Sequence, residues 1–216
     1  MDDRIERYKQ IRRTGYKIVN NEIMKFANKN YKSKLITESA KKLGILEGKN
    51  KIVLDWEEEN QYFLDFVINE TKINGKKLIQ CFSEKSVLEG ELEIEFMDAM
   101  KKAYTSLFRV VNTSPEKGLV FIKDLLGDGK NIRLTDLGLS QMKDKNLLIF
   151  TRIIPFKDMN ITSGMTCAFH SNYEMDLMDL YKNYMKNISS DEEEKKFIFF
   201  YNVFKEIGVG TFMQEV

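Results

Sequence analysis

The sequence predicts an α+β fold, with N-terminal helices, a central five-stranded curved antiparallel sheet or small barrel, and two C-terminal helices. Two observations predict it. Apolar residues recur at helical three- and four-residue steps on both sides of a stretch from Ser106 to Phe169. Inside that stretch the period changes to short runs of strand-forming residues divided by tight-turn residues. With 216 residues, 43% hydrophobic and only 2 Pro, the chain is long enough to bury a core without covalent staples.

Residues 2–29 read as one long amphipathic helix, with Ile5, Tyr8, Ile11, Ile18, Ile23 and Phe26 on its apolar side. Gly15 weakens its middle by about 1 kcal/mol relative to Ala. A second helix fits Ser33 to Leu46, with Ser33 as N-cap and Gly44 as terminator. A third fits residues 55–70, opened by Asp55 and by Glu57, Glu58 and Glu59 as a solvated turn at the positive end of the helix dipole. A fourth runs from Glu89 to Tyr104, turning Leu92, Phe96, Ala99, Met100 and Ala103 inward.

Five strands follow. Leu107 to Val111 leads through the turn Ser114-Pro115-Glu116-Lys117-Gly118 to Leu119–Leu125. Gly127-Asp128-Gly129-Lys130 turns the chain into Asn131–Thr135. Leu147 to Ile154 and Ile161 to Phe169 complete the set, separated by Pro155 to Asn160. Helical pattern returns at Tyr173–Asn187 and at Asp191–Ile207, the latter capped by Ser189-Ser190-Asp191 with Glu192, Glu193 and Glu194 as a solvated first turn. The expected regions are therefore 1–104 helical, 105–170 barrel-like, and 171–216 a helical pair packed on the rest as one unit.

From about Leu64 to Tyr181 the order of features resembles a family of uncharacterised microbial proteins, some of which carry a C-terminal SEC-C metal-binding motif. Ser106 to Val111, Gly118 to Leu126, Gly138-Leu139-Ser140, Arg152 to Pro155 and Thr162-Ser163-Gly164 carry the resemblance. It implies a small barrel with flanking helices and no established activity. Residues Gly208 to Val216 contain no Cys or His, so the metal-binding role of that motif does not transfer.

Charge and cysteine usage narrow the functional classes. The 34 basic and 33 acidic side chains leave a net charge of +1, which supplies no general field for nucleic acid or membrane; local patches stay open. Cys81 and Cys167 stand far apart, the pattern of reduced thiols in a cytoplasmic protein. The opening residues Met1-Asp2-Asp3-Arg4 are charged, and apolar runs such as Leu147 to Phe150 fall far short of the roughly 20 residues that span a bilayer. The expectation is a soluble, cytoplasmic protein with no membrane association.

Motifs for chemistry are near misses. Gly127 to Asn131 resembles the end of a phosphate loop, but Asn131 replaces the magnesium-binding Ser or Thr and Asp124 the first Gly. A hairpin turn is the plainer reading. Gly208-Val209-Gly210 starts like a dinucleotide loop without a following βα unit. Gly138-Leu139-Ser140-Gln141-Met142 approximates a nucleophile elbow, though Ser140 reads better as a turn cap beside Asp136. Cys167 and His170 supply half of a zinc set with no partner pair. No cofactor is implied.

Three functional readings remain. The first is a non-enzymatic interaction module that binds a protein partner or itself through helical surfaces, with Phe197, Phe200, Tyr201 and Phe204 as the candidate interface. Burial of the same residues as core is the competing explanation. The second is an oligonucleotide-binding module using the sheet face: Phe108, Phe121, Phe150 and Phe156 would stack bases while Lys123, Lys130, Arg133, Arg152 and Lys157 meet phosphates. The third is a hydrolase-type enzyme using carboxylates. Asp124 and Asp136 lie within or beside the sheet, where either can pair with Arg152 or join it in a ligand-binding cluster.

Overall fold

The computed structural model describes residues 3–56, 58–142, 144, 146–186, 188 and 192–209. It forms two compact units: one from Ile11 to Lys101, the other joining residues up to Gln10 with those from Lys102 onward.

The first unit is helical. Helix α1 (Asp3–Lys17), which begins in the other unit, continues through a π-helical turn (Ile18–Ile23) into α2 (Met24–Lys42). Lys32 interrupts α2 with φ of 53°, which places a break between the first two helices expected from the sequence. Gly44, at φ of 73°, supplies the left-handed residue that ends the run. A hairpin of two-residue strands follows, β1 (Leu46–Glu47) on β2 (Lys51–Ile52), then α3 (Glu59–Asn69). A second hairpin, β3 (Lys72–Ile73) on β4 (Lys76–Lys77), leads into α4 (Leu78–Lys85) and α5 (Glu91–Lys101). The hairpins and α4 were not anticipated. They are short, and α4 shows its apolar side (Leu78, Ile79, Cys81, Phe82) for barely two turns.

Gly15 is buried, and a Cβ there would stand 2.5 Å from the Phe96 ring. Its low helix propensity is thus the accompaniment of a close approach between α1 and α5. The acidic helix starts also differ from expectation. Glu59 and Glu194 are buried rather than solvated, and Glu59 accepts a hydrogen bond from the Asp55 backbone N–H. Glu57 and the Ser189-Ser190-Asp191 cap lie outside the described residues.

The second unit holds β5 (Tyr104–Ser114), β6 (Leu119–Asp124), β7 (Asn131–Thr135), the short α6 (Leu137–Ser140), β8 (Leu147–Pro155), β9 (Asn160–His170), α7 (Glu174–Met185) and α8 (Glu192–Ile207). The strands follow the order β5-β6-β7-β9-β8, and β8 pairs back on β5, so the sheet curls into a small barrel. It is mixed, which corrects the antiparallel expectation: β7 and β9 meet in parallel through the bridge Leu134↔Asn160. The cause is parity. Five strands that alternate in direction cannot close a ring without two neighbours running the same way.

Alternation decides what fills the barrel. Phe108, Val110, Val120, Ile122, Leu134, Ile149, Ile153 and Ala168 form its core, with Leu139 of α6 packed at one end. The opposite side of β8 and β9 is covered by α8. Phe150 lies against Phe197 and Phe200, and Phe169 against Phe200 and Phe204. Residues at the start of α1 dock on the barrel through Arg4, whose Nη2 donates to the Lys117 carbonyl at 2.7 Å, and through Arg7, which pairs with Asp158. Among the described residues no helix is long and apolar enough to cross a membrane.

Candidate functional site

On β6, Val120 and Ile122 point into the core, so Phe121 and Lys123 point out. On β7, Leu134 points in and Arg133 out. The antiparallel register sets Phe121 opposite Arg133 and Lys123 opposite Asn131. Lys123 and Arg133 are therefore diagonal neighbours on one exposed side, with the half-buried Phe121 next to Lys123 along β6 and directly opposite Arg133. Arg109 and the bulge residue Val111, 53% exposed, extend this face across β5. Arg109 is already held by Glu174, its Nε donating to Oε2 at 2.7 Å. Among the described residues Lys123 and Arg133 enter no ion pair.

Arg133 also lines a cleft of about 400 Å³ with Phe156, Lys157, Asp158, Met159 and Asn160. The β8–β9 hairpin builds its far wall. That hairpin is closed by the Phe156 N–H donating to the Met159 carbonyl at 2.8 Å, and anchored by the buried side chains of both residues. Asn160 ties it to β7 by donating from Nδ2 to the Arg133 carbonyl at 3.2 Å. The cleft's carboxylate, Asp158, is engaged by Arg7, with Nε at 2.6 Å from Oδ2 and Nη2 at 3.5 Å from Oδ1. Lys157 forms no ion pair among the described residues.

The remaining expected contacts are dispersed. Lys130 sits in the β6–β7 turn, where a hydrogen bond from its ammonium to Asp128 raises its pKa and lowers that of Asp128. Arg152 is 1% exposed, on the side of β8 that faces away from the barrel core, where its neighbour Phe150 meets α8. Phe108 and Phe150 are fully buried and unavailable for stacking. Phe197, Phe200 and Tyr201 are likewise fully buried, and Phe204 packs on Phe169.

Asp124 and Asp136 stand at opposite ends of the barrel, because β6 and β7 are antiparallel and each aspartate closes its own strand. Asp124 accepts hydrogen bonds from the Ser106 hydroxyl and from the Leu126 and Gly127 N–H groups. Asp136 caps α6 by accepting from the Leu139 N–H at 2.9 Å, and accepts from the Thr162 hydroxyl at 2.6 Å. Both act as turn anchors. Ser140 donates to the Leu137 carbonyl at 2.9 Å within that capped turn. Cys167 is buried; His170 is exposed, 3.9 Å from Asp144.

Sequence reasoning named Arg133, Phe156 and Lys157 but missed Asp158, Met159 and Asn160, and with them Arg7, which pairs with Asp158. No local pattern marks these four, since they come together only when α1, β7 and the β8–β9 hairpin meet.

Residues 2–214 match the model of a family described as a family of unknown function, DUF7986. No curated protein and no solved structure matches the chain.

Proposed function

We propose that this chain, which belongs to the DUF7986 family of unknown function, is a binding module that holds single-stranded oligonucleotides on the outward side of β6 and β7. The observation that carries the reading is the pair Lys123 and Arg133, two cations without ion pairs among the described residues, set diagonally to one another with Phe121 adjacent to both. A strand laid across this face gains phosphate contacts from the two cations and a stacking surface from the ring. Because the net charge is only +1, attraction is local, and binding weakens steeply with salt. The test is fluorescence anisotropy of a mixed-sequence single-stranded oligonucleotide at low ionic strength. Binding that falls in Lys123→Gln, Arg133→Gln and Phe121→Ala supports the reading. Absence of binding, or equal binding by all three variants, overturns it.

A second reading, association with a protein partner or a second copy through a helical surface, draws on α7. Met175, Leu180 and Tyr184 are 78%, 54% and 37% exposed there. A native mass spectrum showing a dimer or a retained polypeptide, lost in Leu180→Glu, supports it; a bare monomer counts against self-association. For hydrolase-type chemistry, the separated Asp124 and Asp136 offer no carboxylate pair. A cytoplasmic setting, in keeping with the free thiols Cys81 and Cys167, belongs to the same proposal. So does the narrower kinship with proteins that carry SEC-C motifs.

A further inference from the structure

We infer that the cleft between β7 and the β8–β9 hairpin takes a terminal phosphate monoester, so that the module engages the phosphorylated end of a strand. This deepens the oligonucleotide reading and rests on it.

Arg133 is the link. It stands on the outward face of β7 and also lines the cleft, so a strand crossing Lys123 and Phe121 reaches the cleft at its next contact. Inside, Arg133 and Lys157 present two cations from different elements, and neither is neutralised among the described residues. Asp158 would repel a dianion, but Arg7 faces it with two nitrogens and offsets its charge. Phe156 and Met159 line the cleft and are themselves buried, which fixes the hairpin that carries Lys157. A volume of about 400 Å³ leaves room for a single nucleotide. A monoester carries more charge than an internal diester, and a two-cation cleft rewards that difference.

The experiment compares one oligonucleotide sequence in three forms: hydroxyl-ended, 5′-phosphorylated and 3′-phosphorylated. One phosphorylated form is expected to bind about tenfold tighter than the hydroxyl form, the worth of one charge-assisted hydrogen bond. Lys157→Gln is expected to erase that preference and Lys157→Arg to retain it. Lys157 is exposed, so both variants keep the fold. Equal affinity of all three forms overturns the inference and leaves the face reading standing. Should no form bind, the face reading falls, and titration with a nucleoside monophosphate decides the cleft. Binding lost in Lys157→Gln keeps it; no binding removes it.

Discussion

The rings of Phe150 on β8 and Phe200 on α8 lie face to face, with centroids 4.5 Å apart and planes inclined by 19°. Phe200 also contacts Phe169, Tyr181 and Phe199, which makes it the hub joining both C-terminal helices to the barrel wall. Phe200→Ala removes the hub and leaves a cavity; the expected cost is about 3–5 kcal/mol. Urea unfolding followed by far-UV circular dichroism checks it. A loss below about 1 kcal/mol would mean that α8 collapses readily onto the gap.

Gly15 and Phe96 make a sharper test, because propensity and packing oppose each other. Helix propensity alone has Gly15→Ala stabilise by about 1 kcal/mol. The added Cβ would stand 2.5 Å from the ring. We expect net destabilisation of about 1–3 kcal/mol, the usual cost of overpacking. Gly15→Ala combined with Phe96→Leu should recover part of it, as thermal melts of the two variants would show.

Asp124 separates a turn anchor from a ligand-binding carboxylate. Asp124→Ala strips the acceptor from the Ser106 hydroxyl and the Leu126 and Gly127 N–H groups, and is expected to cost about 1–3 kcal/mol. Exposed Asp128, in the same turn, should change stability by less than about 0.5 kcal/mol when replaced by Asn. Oligonucleotide affinity of the folded Asp124→Ala protein should be nearly unchanged. A selective loss of binding would give Asp124 a role beyond the turn.

Tyr181 sets an alkaline limit. Burial, then the nearby Glu193 and Glu192, push its phenol up to about 12, against an ordinary value of 10.0. A pKa raised on folding contributes stability that is complete below 10.0 and is lost as pH rises to about 12. Stability should therefore fall across that window, and Tyr181→Phe should flatten part of the fall. Denaturation at a series of alkaline pH values reads it directly; an unchanged profile in the variant would assign the loss to other groups.

Salt dependence tests the binding face. Each phosphate contact on a single strand contributes roughly 0.7 to the slope of log affinity against log salt. Lys123→Gln and Arg133→Gln should each reduce the slope by about that amount. Lys130→Gln should leave it nearly untouched, because Asp128 already occupies that ammonium. Equal slopes for all three variants would move phosphate contact elsewhere.

What the sequence made legible, and what it did not, follows the physics of each element. Gly118 and Gly129, at φ of 59° and 73°, mark the turns that bound β6 and β7, and a glycine at such a turn is a signal in the sequence, whereas the left-handed Lys32 that breaks α2 is not. The start of the last helix was visible through its run of three glutamates. The direction of Arg152 was not. From Leu147 to Ile154 every residue of β8 is buried, so alternation cannot tell barrel interior from helix-covered exterior. Asp124 and Asp136 looked like neighbours of Arg152 because all three share one sheet; register alone shows that the aspartates close different ends. The cleft brings Arg133 beside the β8–β9 hairpin, and its Asp158 meets Arg7, contacts for which a single sequence carries no signal.

The parallel seam between β7 and β9 has a kinetic consequence. Its strands are joined by the bridge Leu134↔Asn160, whereas β8 and β9 share eight paired positions. Hairpins assemble from local contacts, so the β5–β6, β6–β7 and β8–β9 pairs should form first, and this seam, with its single bridge, should close after them. It should also be the first place to breathe, with amides of β7 exchanging with solvent ahead of those in β8. Arg133 and Lys157 stand on opposite sides of that seam. An anion held by both would act as a clasp, slowing exchange along β7.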